Sequence, residues 1–301
     1  MKINMIRSDK IYRKMAHAIE HKRNDIYRYE LMNPFKFKWE CINVPIKASH
    51  EGGYDVVMAS SMLGFLPPIE VDESHINEIE LISDENLWKE CERTISSALK
   101  RFEDIDFDFD VNEYNFTILL ANPESSYVVL SNGYSGDGGI PGYILLSLVP
   151  NDYTMSHLQA ALAHECNHNV RWQYQKWNIN VTLADMIISE GLAENFATSM
   201  FGEEHLGPWV SKTDLKTLNN KIKPIIKEGL DATGFDNITA YLYGDEIAEL
   251  QGFFPVGLSY CAGYACGYYL IKYYLRKTGK LIEEATITST KEIMKEVADF
   301  W

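Results

Sequence analysis

The cysteines of this chain do not form a framework. The five, Cys41, Cys91, Cys166, Cys261 and Cys266, are odd in number and scattered, with no Cys-x-x-Cys pair. That pattern argues against both a disulfide scaffold and a cysteine-based zinc site. Long apolar runs are also missing: no stretch of about 18 apolar residues exists, so no spanning segment is expected. The first residues, MKINMIRSDKIYRKM, lack the apolar core of a secretory signal. Cations are scarce too. Against 43 Asp and Glu stand 28 Lys and Arg, a net charge of −15, which excludes general binding to a phosphate backbone. These absences together predict a soluble, reduced, cytoplasmic protein without a nucleic-acid partner. They leave its oligomeric state open.

What is present is ordinary globular material. Hydrophobic residues make up 46% of the 301 and charged residues 24%, enough for a sizeable core. The charge is uneven. Residues 1–38 carry ten Lys and Arg against four Asp and Glu, which reads as a solvated basic helix face.

Along the chain, residues 8–31 show helical period, with Ile11, Met15, Ile19, Lys22 and Ile26 on one face and Asn33-Pro34 as the stop. YDVVMASS is a possible strand. Ser83–Arg101 reads as a helix. IDFDFDVN, residues 105–112, alternates with period 2 and reads as an exposed strand edge. Its three aspartates lack the Gly and Glu positions of a calcium loop. NFTILLA (115–121), YVVLS (127–131) and YILLSLV (143–149) are further β-rich runs. From Ser156 onward the pattern is mostly helical. Helices, then strands, then helices give an α+β organisation. The boundary falls near 110, between an α/β N-terminal region, 1–110, of open role and a second domain, 111–301.

The chemistry concentrates in LAHECNHNV, residues 162–170. Ser156-x-x-Gln159 predicts the helix start. His164 and His168 then lie one turn apart on one face, where two imidazole nitrogens can meet one zinc ion. Glu165 lies beside them, placed to reach a water at the metal. This is the His-Glu-x-x-His arrangement of metallohydrolases. A third ligand comes from TLADMIISEGLAENFATSMFG, residues 182–202, where Thr182-x-x-Asp185 starts a helix and Gly202 ends it. Glu190 and Glu194 fall on its core-facing stripe, where unpaired carboxylates would be costly. Glu190 can complete a His-His-Glu site with one open position. Glu194 can accept the outer N–H of a ligand histidine. Gly191 lets the two helices approach closely. The expected cofactor is one Zn2+ per chain.

HECNH followed by SEGLAENFA resembles the gluzincin metallopeptidases and their third-ligand helix. More closely, the chain resembles the YjaZ-like family of predicted zinc-dependent proteases of bacteria. That resemblance covers roughly residues 113–301, including FGEEHLGPW, YLYGDE and CAGYACGYYLIKYYLRKTGK. It implies a zincin-like catalytic domain with a small mixed sheet, an edge strand before the metal helix and a mostly helical C-terminal half. It also implies hydrolysis of a peptide or protein substrate, with Glu165 as general base. The oxyanion donor of such enzymes is a Tyr or His tens of residues past the third ligand. Here GLSYCAGYACGYY offers Tyr264, then Tyr260, with Tyr268 one turn further along the same helix and His205 as an outside candidate. Peptide would add to strand 143–149, at Tyr143, Ile144, Leu145 and Leu146. The Gly-rich loop 131–142 reads as a mobile lip. Arg171 reads as a surface charge, Cys166 and Asn167 as packing. Two other functions use the same residues: a zinc hydrolase of a non-peptide amide or ester, and a metal-stabilised binding or chaperone-like protein with little turnover.

Overall fold

The computed structural model describes every residue of the chain except Ile179. Two compact units emerge, the first from residues 1–97 and 110–162, the second from 98–109 and 163–301. The position near 110 is where the chain re-enters the first unit.

The first unit holds a four-stranded mixed sheet of order β1-β2-β4-β3. The strands are β1 (Lys2–Met5), β2 (Glu113–Leu120), β3 (Tyr134–Asp137) and β4 (Tyr143–Leu148). β1 and β4 both run parallel to β2, with Ile3 opposite Tyr114 and Phe116 opposite Ile144. β3 returns antiparallel on β4, Tyr134 opposite Leu148 and Asp137 opposite Leu145. β2 and β4 read as near-continuous apolar runs because they are buried strands. Helix α1 (Ser8–Ala16) follows β1 and sends the Tyr12 hydroxyl to the Leu120 amide at 3.1 Å. Helix α2 (Glu85–Glu103) carries residues into both units.

Several local expectations give way. The helix expected over 8–31 breaks at 17–19 and resumes as Glu20–Ile26. YDVVMASS is helical over Val56–Met62, because the Asp55 carboxylate caps the Val57 amide at 2.9 Å. YVVLS is also helical, Ser126–Leu130, its amides returning to Ser125 and Tyr127 carbonyls. Residues 105–112 keep their alternating exposure but form no strand of their own, although the Asn112 carbonyl accepts from the Lys2 amide of β1 at 2.9 Å. Asp106 turns left-handed at φ 58° and the chain joins β2 only at Glu113. The loop 131–142 contains β3, so β4 is an internal strand and not an edge. Leu145 and Leu146 are paired on both sides, so the expected peptide-binding edge does not extend over them. Among the described residues, β1 and β3 are the outer strands of the sheet.

The second unit is helical. Helix α3 (Asp152–Tyr174) contributes its C-terminal half. Its start lies one turn before Ser156: Asn151 and Thr154 exchange side-chain to backbone bonds at 3.0 and 3.1 Å. Helix α4 (Leu183–Phe201) starts on the expected Thr182–Asp185 capping box and stops at Gly202. It is buried on every side from Leu183 to Ala197. Helix α5 (Ala262–Thr278) crosses it at a glycine contact. A Cβ on Gly191 would sit 2.1 Å from the Gly267 carbonyl oxygen, and one on Gly267 would sit 2.0 Å from the carbonyl oxygen of Ile187. The close approach that Gly191 permits is therefore to α5, not to α3. Backbone cannot step aside as a side chain can, so Gly191→Ala should lower unfolding free energy by at least about 1–3 kcal/mol in urea titration. The Phe102 ring stacks on Phe196 of α4 at 5.1 Å.

Candidate metal centre

α3 and α4 lie so that one face of each supplies polar atoms to a single point. His164 Nε2 and His168 Nε2 lie 3.3 and 3.2 Å from the same oxygen, Oε2 of Glu190. The three ligand atoms all fall within 4.8 Å of one another. A tetrahedral zinc ion with bonds of about 2.0–2.1 Å holds neighbouring ligand atoms about 3.3 Å apart. The residues present therefore fit zinc by donor type and by spacing. All three are nearly inaccessible, at 4–7% exposure, so the carboxylate and imidazoles are held without solvent to share.

The outer nitrogens are fixed as well. The Nδ1–H of His164 donates to Glu194 Oε2 at 2.9 Å, which turns Nε2 toward the triad. Nδ1 of His168 lies 3.1 Å from the Ser189 hydroxyl. Glu194 accepts twice more, from the Gly207 amide at 2.7 Å and the Trp209 indole N–H at 2.8 Å. Neither Ser189, Gly207 nor Trp209 stands out by sequence reasoning. The last two lie 13 and 15 residues beyond Glu194, and only the motif FGEEHLGPW hinted at them.

Electrostatics agree with a cation-seeking site. Burial disfavours a charged His164, yet hydrogen bonds to Glu190 and Glu194 overcome it and hold its pKa well above the usual histidine value. The Glu165 charge adds to this field. Burial pushes Glu190 upward, but the pull of His168 and the bonds from both imidazoles win and lower it to about 2. The centre of the triad is thus a place where positive charge is stabilised.

The remaining expected residues separate. Glu165 is buried next to the ligands. The Tyr264 ring lies 6.4 Å from that of Trp209, which itself lies 5.8 Å from His164. Burial, then the charge of Glu190, raise the Tyr264 phenol well above its usual pKa, so it stays a protonated donor. Tyr260 precedes α5, because Cys261 turns left-handed at φ 52°, and its ring faces the Lys212 ammonium at 5.4 Å. Tyr268 is buried and accepts a bond from Lys272 at 3.3 Å. His205 is tied to the Phe201 carbonyl at 2.8 Å.

Behind the ligands, Arg171 is not a surface charge. It is 1% exposed and donates to the carbonyls of Thr286 and Thr288 at 2.8 and 2.6 Å, to Gln175 at 2.6 Å and to the Thr290 hydroxyl at 3.1 Å. Burial lowers its pKa to about 10, still charged at neutral pH. Asn167 does more than pack, donating to the Thr286 hydroxyl at 2.8 Å. Gln175 passes the connection on to Asp185 in the α4 cap at 2.6 Å.

With this geometry in view, the relatives are informative. Residues 87–295 match the family described as "Predicted Zn-dependent protease (DUF2268)". The chain belongs to that family. It is also 36% identical to "Uncharacterized protein YjfC" of Bacillus subtilis (strain 168), across 100% of this chain and 99% of that protein. The likeness thus extends over residues 1–105, where the sequence alone offered no family signal. No solved structure matches the chain. None of the five cysteines is in a disulfide, and no helix among the described residues is long and apolar enough to cross a membrane.

Proposed function

We propose that this chain is a zinc metallopeptidase of gluzincin type, with its zincin-like catalytic machinery in residues 111–301. The observation that carries the reading is the convergence of His164 Nε2, His168 Nε2 and Glu190 Oε2 at zinc-ligand spacing, with both outer imidazole nitrogens already engaged. One zinc ion per chain, bound there, would supply Lewis acidity and a lowered water pKa.

The protein groups then have distinct tasks. Glu165 takes a proton from the attacking water and delivers it to the leaving amine. Tyr264 donates to the developing oxyanion. It is favoured over Tyr260 because its ring joins the aromatic wall that reaches His164 through Trp209.

Elemental analysis of the purified protein tests the metal. One zinc per chain is expected. His164→Ala should weaken zinc binding by more than about 100-fold, beyond the range seen for outer-sphere changes. Substoichiometric zinc in the wild type, unchanged by His164→Ala, would remove the metal from the proposal. Cleavage of a mixed peptide library tests the substrate class, and zinc binding without any cleavage would favour the binding-protein function.

A further inference from the structure

We infer that Trp209 is a positioning residue for the metal centre, acting on His164 through Glu194. The inference rests on the metal reading above and adds a residue outside the ligand set.

Three observations meet at Glu194. Its Oε2 accepts from both His164 Nδ1 and Trp209 Nε1, at 2.9 and 2.8 Å, and its Oε1 accepts from the Gly207 amide at 2.7 Å. An ionised carboxylate only accepts, so all three contacts are N–H donations and none competes for a proton. Two anchors outside the ligand set, one on each oxygen, thus fix the carboxylate that orients His164. Without them the Glu194 carboxylate could rotate, and the imidazole would follow.

The local sequence is built for this. Gly207 must lack a side chain, because a Cβ there would lie 2.2 Å from the indole ring of Trp209. Its backbone, φ −60° and ψ 153°, is one that alanine adopts freely, so the demand comes from the ring alone. Pro208 opens the short turn Pro208–Ser211 and sets the direction in which Trp209 leaves. The indole folds back over Gly207, its N–H on Glu194 and its ring T-shaped against that of His164 at a separation of 5.8 Å. Gly-Pro-Trp is thus a clamp closed over the helix α4 carboxylate.

Zinc dissociation constants, measured by competition with a chromogenic chelator, test the clamp. Trp209→Phe keeps an aromatic ring beside His164 but removes the N–H. It should weaken zinc binding about 10–100-fold. Gly207→Ala should cause a similar loss by displacing the ring. In a Glu194→Gln background, Trp209→Phe should add almost nothing, because its effect travels through that carboxylate. Additive losses would instead mean that Trp209 only packs, and overturn the inference. So would zinc binding in Trp209→Phe and Gly207→Ala equal to that of the wild type.

A wild-type readout covers poor folding of the variants. With tryptophan 15N-labelled, one of the six indole N–H resonances should shift on zinc addition and lose exchange protection in Glu194→Gln. No shift in any of them overturns the clamp while leaving the metal site standing. A wild type that binds no zinc overturns the metal reading and the clamp with it.

Discussion

Glu165→Gln should keep one zinc per chain and lose peptide hydrolysis by about 10²–10⁴-fold in kcat/KM. The substitution preserves size and a hydrogen-bonding head, which a side chain at 6% exposure requires. It removes only the ability to take a proton. The atoms that could hold the metal belong to His164, His168 and Glu190, so on the proposed reading zinc content should not follow activity down. Parallel elemental analysis and library cleavage make the distinction. Zinc lost together with activity would make Glu165 a structural or ligating residue. Activity retained would take away its role as base.

Arg171→Met should lower the unfolding free energy by about 3–5 kcal/mol, a fall in melting temperature on the order of 10 °C. The apolar replacement fills similar space. It leaves the Thr286 and Thr288 carbonyls without the guanidinium that now bonds both, and buried acceptors stripped of a donor are costly. It also cuts the path through Gln175 to the α4 cap. Arg171→Lys keeps the charge but not the planar fork, so it should recover only part of the loss. Calorimetry on the three proteins checks the order. Unchanged stability in Arg171→Met would show that the four bonds contribute little.

The candidate metal cluster was legible in sequence because it is written within helices. His164 and His168 are one turn apart, as are Glu190 and Glu194, and helical period alone puts each pair on one face. Pairing the two helices needed only the high cost of burying two carboxylates. Gly207 and Trp209 have no such signature. They reach Glu194 across a chain reversal, and nothing periodic marks a reversal. Arg171 misled for a related reason: arginine is seldom fully buried, and three of its four acceptors lie more than a hundred residues away.

The sheet was half legible. β2 and β4 are apolar and six or more residues long, so their composition marks them. β1 and β3 have four residues each, too few for period 2 to register, and β3 sits in a glycine-rich stretch that reads as loop. Missing β3 is what made β4 look like an edge. The two valine-bearing helices at 56–62 and 126–130 show side-chain preference yielding to capping and tertiary context.

Burial of α4 on every side has a consequence for how the chain reaches its native state. Before docking, its residues present an apolar stretch, Met186-Ile187-Ile188 and Leu192-Ala193, to solvent and to other chains. Glu190 and Glu194 are the charges that interrupt it, and charged residues within apolar stretches suppress aggregation. The same two carboxylates become expensive once buried, and only the imidazoles, the clamp and a cation relieve that cost. During biosynthesis these glutamates would act as gatekeepers against self-association, until burial of α4 brings them against His164 and His168.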